Sequence, residues 1–178
     1  LLQRHELLSL GLMLLQNDRV VEAEKVSAFI LNNFKKINYR EKLLRGNVLF
    51  RMHSYKDALD IFEQLIIEKN LQRTRYILSK CYYEISELEK AENIIINDLG
   101  TAEKKPRWYF LHEINIKQKK GEYADALEVL DFGLRHFGED EVLLGKKYGL
   151  HVMLGQMGKS HDVINSILSI NPSNIKMR

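Results

Sequence analysis

The sequence predicts an all-α fold made of about five repeated helix-turn-helix pairs. The first observation is a small residue that recurs in matching contexts at intervals of 33 to 35 residues, at Ala23, Ala58, Ala91, Ala126 and Ser160. The second is helical spacing of apolar residues on both sides of each small residue. The third is the scarcity of proline, because the chain has two prolines and both fall between predicted helices. A period near 34 residues carried on two helices is typical of a helical repeat array.

A small residue is needed where two antiparallel helices cross. Packed helix axes lie about 8–10 Å apart, and the closest approach in each pair falls early in the second helix. A large side chain at that point would force the pair open. We therefore expect the recurring alanines to be buried at the contact between the two helices of each repeat.

The period divides the chain into five repeats within one domain of residues 1–178. The repeats begin near Arg4, Tyr39, Gln72, Arg107 and Glu141, and they cover residues 4–38, 39–71, 72–106, 107–140 and 141–174. In the first repeat, the predicted helices span residues 4–16 and 20–33. Because the sequence does not begin with Met, we expect the chain to be a piece of a longer protein.

Composition excludes several classes of protein and points to a reducing compartment. The 27 basic and 24 acidic residues leave a net charge of +3, which is too weak to indicate nucleic-acid binding. The sole cysteine, Cys81, excludes an internal disulfide framework and favours the cytoplasm or the nucleus. It lies in a helical apolar pattern, so we expect a buried, unreactive thiol. No run of 18 apolar residues predicts a membrane span.

The sequence predicts no enzyme. Its six histidines form no HExxH motif, and none pairs with Cys81 at a spacing typical of zinc ligands. The glycine-containing turns at Gly121 and Gly155 lack the GK[ST] ending of a phosphate-binding loop. An all-helical array also lacks the strand-end pocket in which many enzymes carry out their chemistry. We therefore expect no catalytic residue, no cofactor and no metal ion.

Three stretches of the chain carry a resemblance to a known family. LLRGNVLFRMHSYKDALDIF, YILSKCYYEISELEKAENII and KKGEYADALEVL resemble tetratricopeptide repeats (TPR). The resemblance implies a right-handed α-solenoid whose function is to bind other proteins. The stretches LFRMHSYKDA and RYILSKCYYEISELEKAE are similar, more particularly, to the TPR subunits of the anaphase-promoting complex. That resemblance implies a scaffold in a large ubiquitin ligase.

The family's geometry implies which side chains face the concave groove, namely positions 2, 5, 9, 12 and 13 of each repeat. From these positions we predict a partner-binding set of Arg40, Asn47, Phe50, Arg51, Arg73, Tyr76, Lys80, Tyr83 and Trp108. In the second and third repeats four basic groups oppose one carboxylate, Glu84, which favours an acidic segment with apolar anchors. Trp108 is either a groove anchor or, with a shift of one residue, a core residue. Asn115 and Gln118 share the groove positions of the fourth repeat.

The first predicted helix is apolar almost all round, with Leu8, Leu12 and Leu15 on its groove side. An exposed leucine triplet of this kind usually marks an interface. Its cover could be a peptide, a further segment of the chain, or the same helix of a second copy. The last option makes self-association as a homodimer the alternative function. RNA binding by a helical repeat is a third hypothesis, although the predicted groove turns apolar at both ends rather than staying basic.

One specific TPR function can be compared directly with the sequence. The clamp that binds the C-terminal carboxylates of heat-shock chaperones begins with a Lys and an Asn, at positions that Leu8 and Leu12 occupy here. Three clamp positions remain. Asn47 and Arg73 fit two of them, and Ile77 does not fit the third. The sequence therefore predicts no heat-shock-chaperone clamp.

Overall fold

The structure is a computed structural model that describes residues 2–99 and 106–173. The regular secondary structure of these residues is α-helical throughout, which confirms the predicted all-α fold. The helices of the first three repeats are α1 (Arg4–Gln16), α2 (Val20–Asn33), α3 (Tyr39–Arg51), α4 (Tyr55–Glu68), α5 (Gln72–Glu84) and α6 (Leu88–Leu99). Those of the last two are α7 (Arg107–Lys120), α8 (Tyr123–Phe137), α9 (Glu141–Met153) and α10 (Met157–Ile170).

The odd-numbered helices begin at Arg4, Tyr39, Gln72, Arg107 and Glu141, the residues at which the sequence period starts each repeat. Helices α1 and α2 also have the bounds expected from the sequence. Parts of the third and fifth repeats, at residues 100–105 and 174, lie outside the described residues.

The chain forms two compact units, Leu1–Ile94 and Ile95–Arg178, here called the N-terminal and C-terminal units. In the N-terminal unit α1 packs on α2, and α3 packs on α4. The second helix of each of these two repeats also packs on the first helix of the next repeat, α2 on α3 and α4 on α5. In the C-terminal unit α7 packs on α8, α8 on α9, and α9 on α10. The boundary between the units falls within α6, and whether they act as one domain stays a prediction.

The recurring small residues lie where the sequence predicts them. All four alanines have no exposed surface, and Ser160 is 5% exposed. In the third repeat the hydroxyl of Ser79 donates a hydrogen bond of 2.8 Å to the Ala91 carbonyl, so the two helices approach within reach of one short side chain. In the second repeat a Cβ at Gly46 would lie 3.0 Å from Cζ of Phe62. The helix crossings of the second and third repeats thus admit only small side chains.

Apolar clusters hold each unit together. In the N-terminal unit, Ala58, Phe62 and Leu65 of α4 pack against Leu78 and Cys81 of α5. The Cys81 thiol has no exposed surface, and burial raises its pKa to about 12. This confirms the prediction of a buried thiol, and it leaves almost no reactive thiolate at neutral pH. In the C-terminal unit, one cluster joins α7, α8 and α9, and a second joins α9 and α10.

The turn inside every repeat has the same backbone geometry. One residue of each turn adopts a positive φ, at Asp18, His53, Ser86, Gly121 and Gly155. In each case its N–H and the next N–H bond back to carbonyls in the last turn of the preceding helix, as in a Schellman motif. Two of the five are glycines, which tolerate this conformation without strain. The sequence predicts the turns at Gly121 and Gly155 but not the equivalence of the other three positions.

One ion pair of the N-terminal unit joins α1 to α3, and its acidic side chain is buried. Nε and Nη2 of Arg4 donate to the two carboxylate oxygens of Glu41, at 2.6 Å each. The side chain of Glu41 is 1% exposed, and it also accepts from the Asn38 N–H at 2.9 Å. The bonds from Arg4 hold the pKa of Glu41 below its ordinary value of 4.5, against the opposing effect of burial.

The turns generate a reciprocal prediction. We expect Ser86→Gly to raise the free energy of unfolding by up to about 1 kcal/mol, because glycine relieves the cost of the left-handed conformation. Gly121→Ser should lower it by a similar amount, since the space around Gly121 is open and only the backbone is strained. Denaturant unfolding followed by circular dichroism measures both changes. Changes of the same sign in the two variants would contradict the interpretation.

The Arg4–Glu41 pair predicts an acid-sensitive contribution to stability. Since folding lowers the pKa of Glu41, its contribution is present above about pH 4.5 and is lost as the pH falls through the depressed value. Glu41→Gln should lower the free energy of unfolding at pH 7 by roughly 1–3 kcal/mol, and should lose less stability than the wild type on acidification. Glu68→Gln is the matched control, because Glu68 pairs with Lys42 but is 38% exposed. An equal loss in the two variants at pH 7 would contradict this account.

Candidate functional site

A groove of about 550 Å³ lies in the N-terminal unit, between the first helices of its three repeats. Helix α1 contributes Leu12, Leu15 and Gln16, and α3 contributes Tyr39, Leu43, Asn47, Phe50 and Arg51. The third wall consists of Leu71 and, from α5, Arg73, Thr74, Tyr76, Ile77 and Lys80. No carboxylate is among these lining residues, so the groove is apolar with basic groups.

The apolar part of the groove is accessible. Leu12 is 40% exposed, and Leu15, Phe50 and Tyr76 are half-buried. Leu15 also packs against the core of the first repeat, and Phe50 against the core of the second, which fixes both side chains from behind. Burial raises the pKa of Tyr76, so its hydroxyl stays protonated and can donate a hydrogen bond at neutral pH. The groove therefore offers rigid apolar surface to a ligand.

Lys80 is a positioned cation in this groove. Its ammonium lies 5.2 Å from the centroid of the Phe50 ring and 5.7 Å from that of Tyr76. Two ring faces at this distance attract a cation but neutralise none of its charge. Lys80 thus holds a full positive charge at the groove surface.

The two arginines of the groove differ in their partners. Arg73 is exposed and makes no ion pair with any residue that the structure describes. Arg51 instead donates to the carboxylate of Asp18, in the turn between α1 and α2. The sequence interpretation set one carboxylate, Glu84, against four basic groups, and this ion pair adds Asp18 as a second carboxylate that engages one of them. Both groups are substantially exposed, so the pair is weak and open to competition.

Hydrogen bonds fix the floor of the groove. The hydroxyls of Tyr39 and Thr74 lie 2.9 Å apart and join α3 to α5 across one repeat. The Asn47 amide donates 2.7 Å to the Leu43 carbonyl one turn earlier on α3. The Tyr39–Thr74 contact restricts the distance between α3 and α5 and so preorganises the groove for a ligand.

The structure brings most of the predicted binding residues together. The groove lining includes Asn47, Phe50, Arg51, Arg73, Tyr76 and Lys80, together with Leu12 and Leu15 from the predicted self-association set. Four predicted residues lie outside the lining, of which three belong to the N-terminal unit and one, Trp108, to the C-terminal unit. Arg40 is exposed, Tyr83 is half-buried, and Leu8 packs against the core of the first repeat.

Trp108 belongs to α7 in the C-terminal unit. It is 36% exposed, and its ring centroid lies 4.4 Å from that of Tyr109, which has no exposed surface. The core position of this turn is therefore Tyr109, and Trp108 lies on the surface. This excludes the core position that the sequence left open for Trp108, and its role as a groove anchor stays a prediction.

Sequence reasoning missed four lining residues, Tyr39, Leu71, Thr74 and Ile77. Tyr39 and Thr74 lie in the first turns of α3 and α5, beside the groove positions expected from the family geometry. The sequence spacing could have indicated their contact, because Tyr39 and Thr74 lie one repeat apart and both carry a hydroxyl group. Leu71 precedes α5 and falls outside the periodic positions altogether.

Residues 2–99 and 106–173 contain neither a candidate membrane span nor a candidate metal site. No helix there is both long enough and apolar enough to cross a membrane. No cluster of three or more His, Cys, Asp or Glu side chains in that part of the chain could hold a metal ion.

Comparison with known proteins shows similarity at the level of structure. No protein-family model matches the chain, and no curated protein sequence matches it. A tetratricopeptide repeat protein from Parabacteroides merdae superposes with a TM-score of 0.77 at 19% identity, over 93% of this chain. The chain spans 64% of that protein, slightly less than two thirds of its length.

Two other solved structures align over nearly the whole chain. A thermophilic TPR protein from Thermus thermophilus gives a TM-score of 0.71 at 15% identity, covering 99% of this chain and 95% of that one. YrrB, described as a TPR protein with an unusual peptide-binding site, gives 0.69 at 13% identity, covering 96% and 88%. Identities this low establish the fold and nothing further. The chain thus has the fold of tetratricopeptide repeat proteins.

Proposed function

We propose that the chain is a protein-interaction module whose N-terminal groove binds an acidic peptide segment with apolar anchors. The observation that carries this proposal is the composition of the groove lining, in which basic groups and accessible apolar side chains meet without a carboxylate. A ligand of opposite charge would compensate these cations, while an apolar side chain of the ligand would cover Leu12 and Phe50.

The basic groups have distinct roles in the proposed complex. Arg73 has no ion-pair partner among the described residues, so its guanidinium can bind a carboxylate through two parallel hydrogen bonds. Lys80 presents a point charge held over the Phe50 and Tyr76 rings, and a ligand carboxylate would meet it with little rearrangement. Arg51 can contribute only when the ligand competes with Asp18.

The apolar groups limit what the rest of the ligand can be. A volume of about 550 Å³ is in the range of small-ligand pockets and accommodates a few side chains of a peptide rather than a whole domain. Leu12, Leu15 and Phe50 border this space on two different helices. A segment that alternates acidic and large apolar side chains matches both features. The peptide-binding site named for YrrB supports a peptide ligand for this fold.

Several finer statements belong to the proposal. A place in an anaphase-promoting-complex-like ubiquitin ligase rests on the sequence resemblance alone and stays a prediction. The same holds for a cytoplasmic or nuclear location. The proposed role is binding and assembly without catalysis, and we assign no role to RNA or to the heat-shock-chaperone clamp.

The groove predicts charge-selective peptide binding. A fluorescein-labelled octapeptide that alternates Glu with Leu and Phe should bind, and its Gln counterpart should bind at least tenfold more weakly. Replacing Arg73 and Lys80 together with Gln should weaken binding of the Glu peptide at least tenfold, since each charge-assisted bond contributes about 1.5–3 kcal/mol. Fluorescence anisotropy at several salt concentrations measures these affinities.

Arg40→Gln is the control for the peptide experiment. It removes one exposed positive charge from α3 but changes no residue of the groove lining. We expect less than a twofold change in affinity. Equal binding of the Glu and Gln peptides, or equal effects of the control and the double variant, would overturn the proposed site.

Self-association is a second candidate, favoured by the 40% exposure of Leu12 beside the groove. If α1 of another copy covers this surface, sedimentation at micromolar concentration should give a dimer for the wild type and a monomer for Leu12→Glu. Met13→Glu is the matched control, because Met13 is 48% exposed on the same helix but does not line the groove. A monomeric wild type would exclude this candidate.

A further inference from the structure

A cavity of about 350 Å³ lies among α4, α5 and α6 of the N-terminal unit, and it shares no lining residue with the groove described above. Its two residues from α5, Leu78 and Tyr82, lie roughly 160° around the helix from Lys80, which lines the groove. Ile66 and Ile94 complete an apolar floor that packs on the core of the second repeat. The cavity is therefore a second recess, on the opposite side of α5 from the groove.

Charge is divided between the first and second helices of the repeats in this unit. Helices α1, α3 and α5 carry eight Lys or Arg and three Asp or Glu, a net charge of +5 with histidine neutral. Helices α2 and α4 and residues 88–94 of α6 carry three Lys and eight Asp or Glu, a net charge of −5. The cavity, which lies between α4 and α6, is thus bordered by acidic helices, whereas the groove is bordered by basic ones.

Two exposed carboxylates of α4 lie one helical turn apart beside the cavity. Asp60 and Glu63 make no ion pair with any residue in the described ranges 2–99 and 106–173. The hydroxyl of Tyr82 donates a hydrogen bond to Oε1 of Glu63, which holds this carboxylate at the cavity rim. Burial and the bond to Glu63 raise the pKa of Tyr82 to about 12, so the hydroxyl keeps its proton at neutral pH. Glu63 therefore presents a positioned negative charge.

The cation on the opposite rim does not cancel this charge. The ammonium of Lys90 on α6 lies 3.6 Å from a carboxylate oxygen of Glu87 and 5.5 Å from the centroid of the Tyr82 ring. Its charge is thus already compensated by Glu87. Asp60 and Glu63 remain as the uncompensated groups of the rim, so the recess has an apolar floor and an acidic edge.

We propose that this recess and the adjoining face of α4 form a second docking surface, for a basic partner segment that carries a large apolar side chain next to Lys or Arg. The apolar side chain would cover Ile66 and Ile94, and the neighbouring cations would pair with Asp60 and Glu63. Ile67 lies one turn beyond Glu63 and is 86% exposed, so it offers a further apolar contact on the same face. The proposal does not rest on the function proposed for the groove.

Charge and size favour this occupant over others. The acidic second helices repel RNA and anionic lipid surfaces, and they equally repel the acidic peptide proposed for the groove. A volume of about 350 Å³ is at the lower end of the range for ligand pockets, which suits a side chain and its neighbours rather than a folded domain.

The test uses the intact chain and a fluorescein-labelled octapeptide that alternates Lys with Leu and Phe. We expect saturable binding by fluorescence anisotropy, at least tenfold tighter than that of two control peptides. One control replaces every Lys with Gln, and the other keeps Lys but replaces Leu and Phe with Ser. The first control measures the contribution of charge, and the second measures that of the apolar floor.

Asp60→Asn combined with Glu63→Gln should weaken binding of the Lys peptide at least tenfold. Glu128→Gln combined with Asp162→Asn is the matched control. It also removes two exposed carboxylates from second helices of repeats, here α8 and α10 of the C-terminal unit, and should change the affinity less than twofold.

Replacing Arg73 and Lys80 together with Gln, which disables the proposed groove, should not weaken binding of the Lys peptide, so failure of one site is distinguishable from failure of the other. The proposal is overturned if either control peptide binds as tightly as the Lys peptide, or if the two pairs of acidic substitutions have equal effects. It is also overturned if sedimentation shows a dimeric wild type and a monomeric Asp60→Asn, Glu63→Gln variant, because a second copy would then cover this surface.

Discussion

The close crossing of the two helices in each repeat is the constraint on which the other features depend. Ala23, Ala58, Ala91 and Ala126 have no exposed surface, and Ser79 reaches the backbone of the opposite helix with its hydroxyl. A crossing this tight fixes the rotation of both helices, since turning either one would bring a larger side chain into the contact. The rotation in turn determines which side chains of α1, α3 and α5 border the groove.

The turn is the second constraint, and it acts locally. A left-handed residue ends the first helix of every repeat, and its N–H and that of the next residue donate hydrogen bonds back to that helix, which reverses the chain. Because the same turn recurs at Asp18, His53 and Ser86 as well as at two glycines, backbone geometry is kept even where the residue type does not favour it. Asp18 also pairs with Arg51, so in the first repeat the turn reaches the groove.

The sequence predicted the features that follow from periodicity. The bounds of α1 and α2 and the first residues of the odd-numbered helices follow from counting between small residues, because the crossing sets the register of each repeat. The family positions also placed Asn47, Phe50, Tyr76 and Lys80 on a common surface. Both inferences concern where a residue lies on its helix, and a regular repeat encodes that information.

Side-chain pairing was not predictable in the same way. The contact of Arg51 with Asp18 spans 33 residues, and the contact of Arg4 with Glu41 spans 37, so neither follows from spacing on one helix. The contact of Lys146 on α9 with Asn115 on α7 likewise spans 31 residues and follows from no spacing on one helix. Arg40 shows the reverse case, since a residue at a favourable position lies outside the groove lining.

The burial of Cys81 allows local opening of the N-terminal unit to be measured through the reactivity of its native thiol. The chain contains no other cysteine, and a thiol with a pKa of about 12 and no exposed surface reacts with a maleimide only when α4 and α5 separate. The rate at which this thiol is alkylated would therefore measure how often α4 and α5 separate in the unmodified chain. A cysteine introduced on the surface could be labelled selectively within the same molecule while the native thiol remained protected.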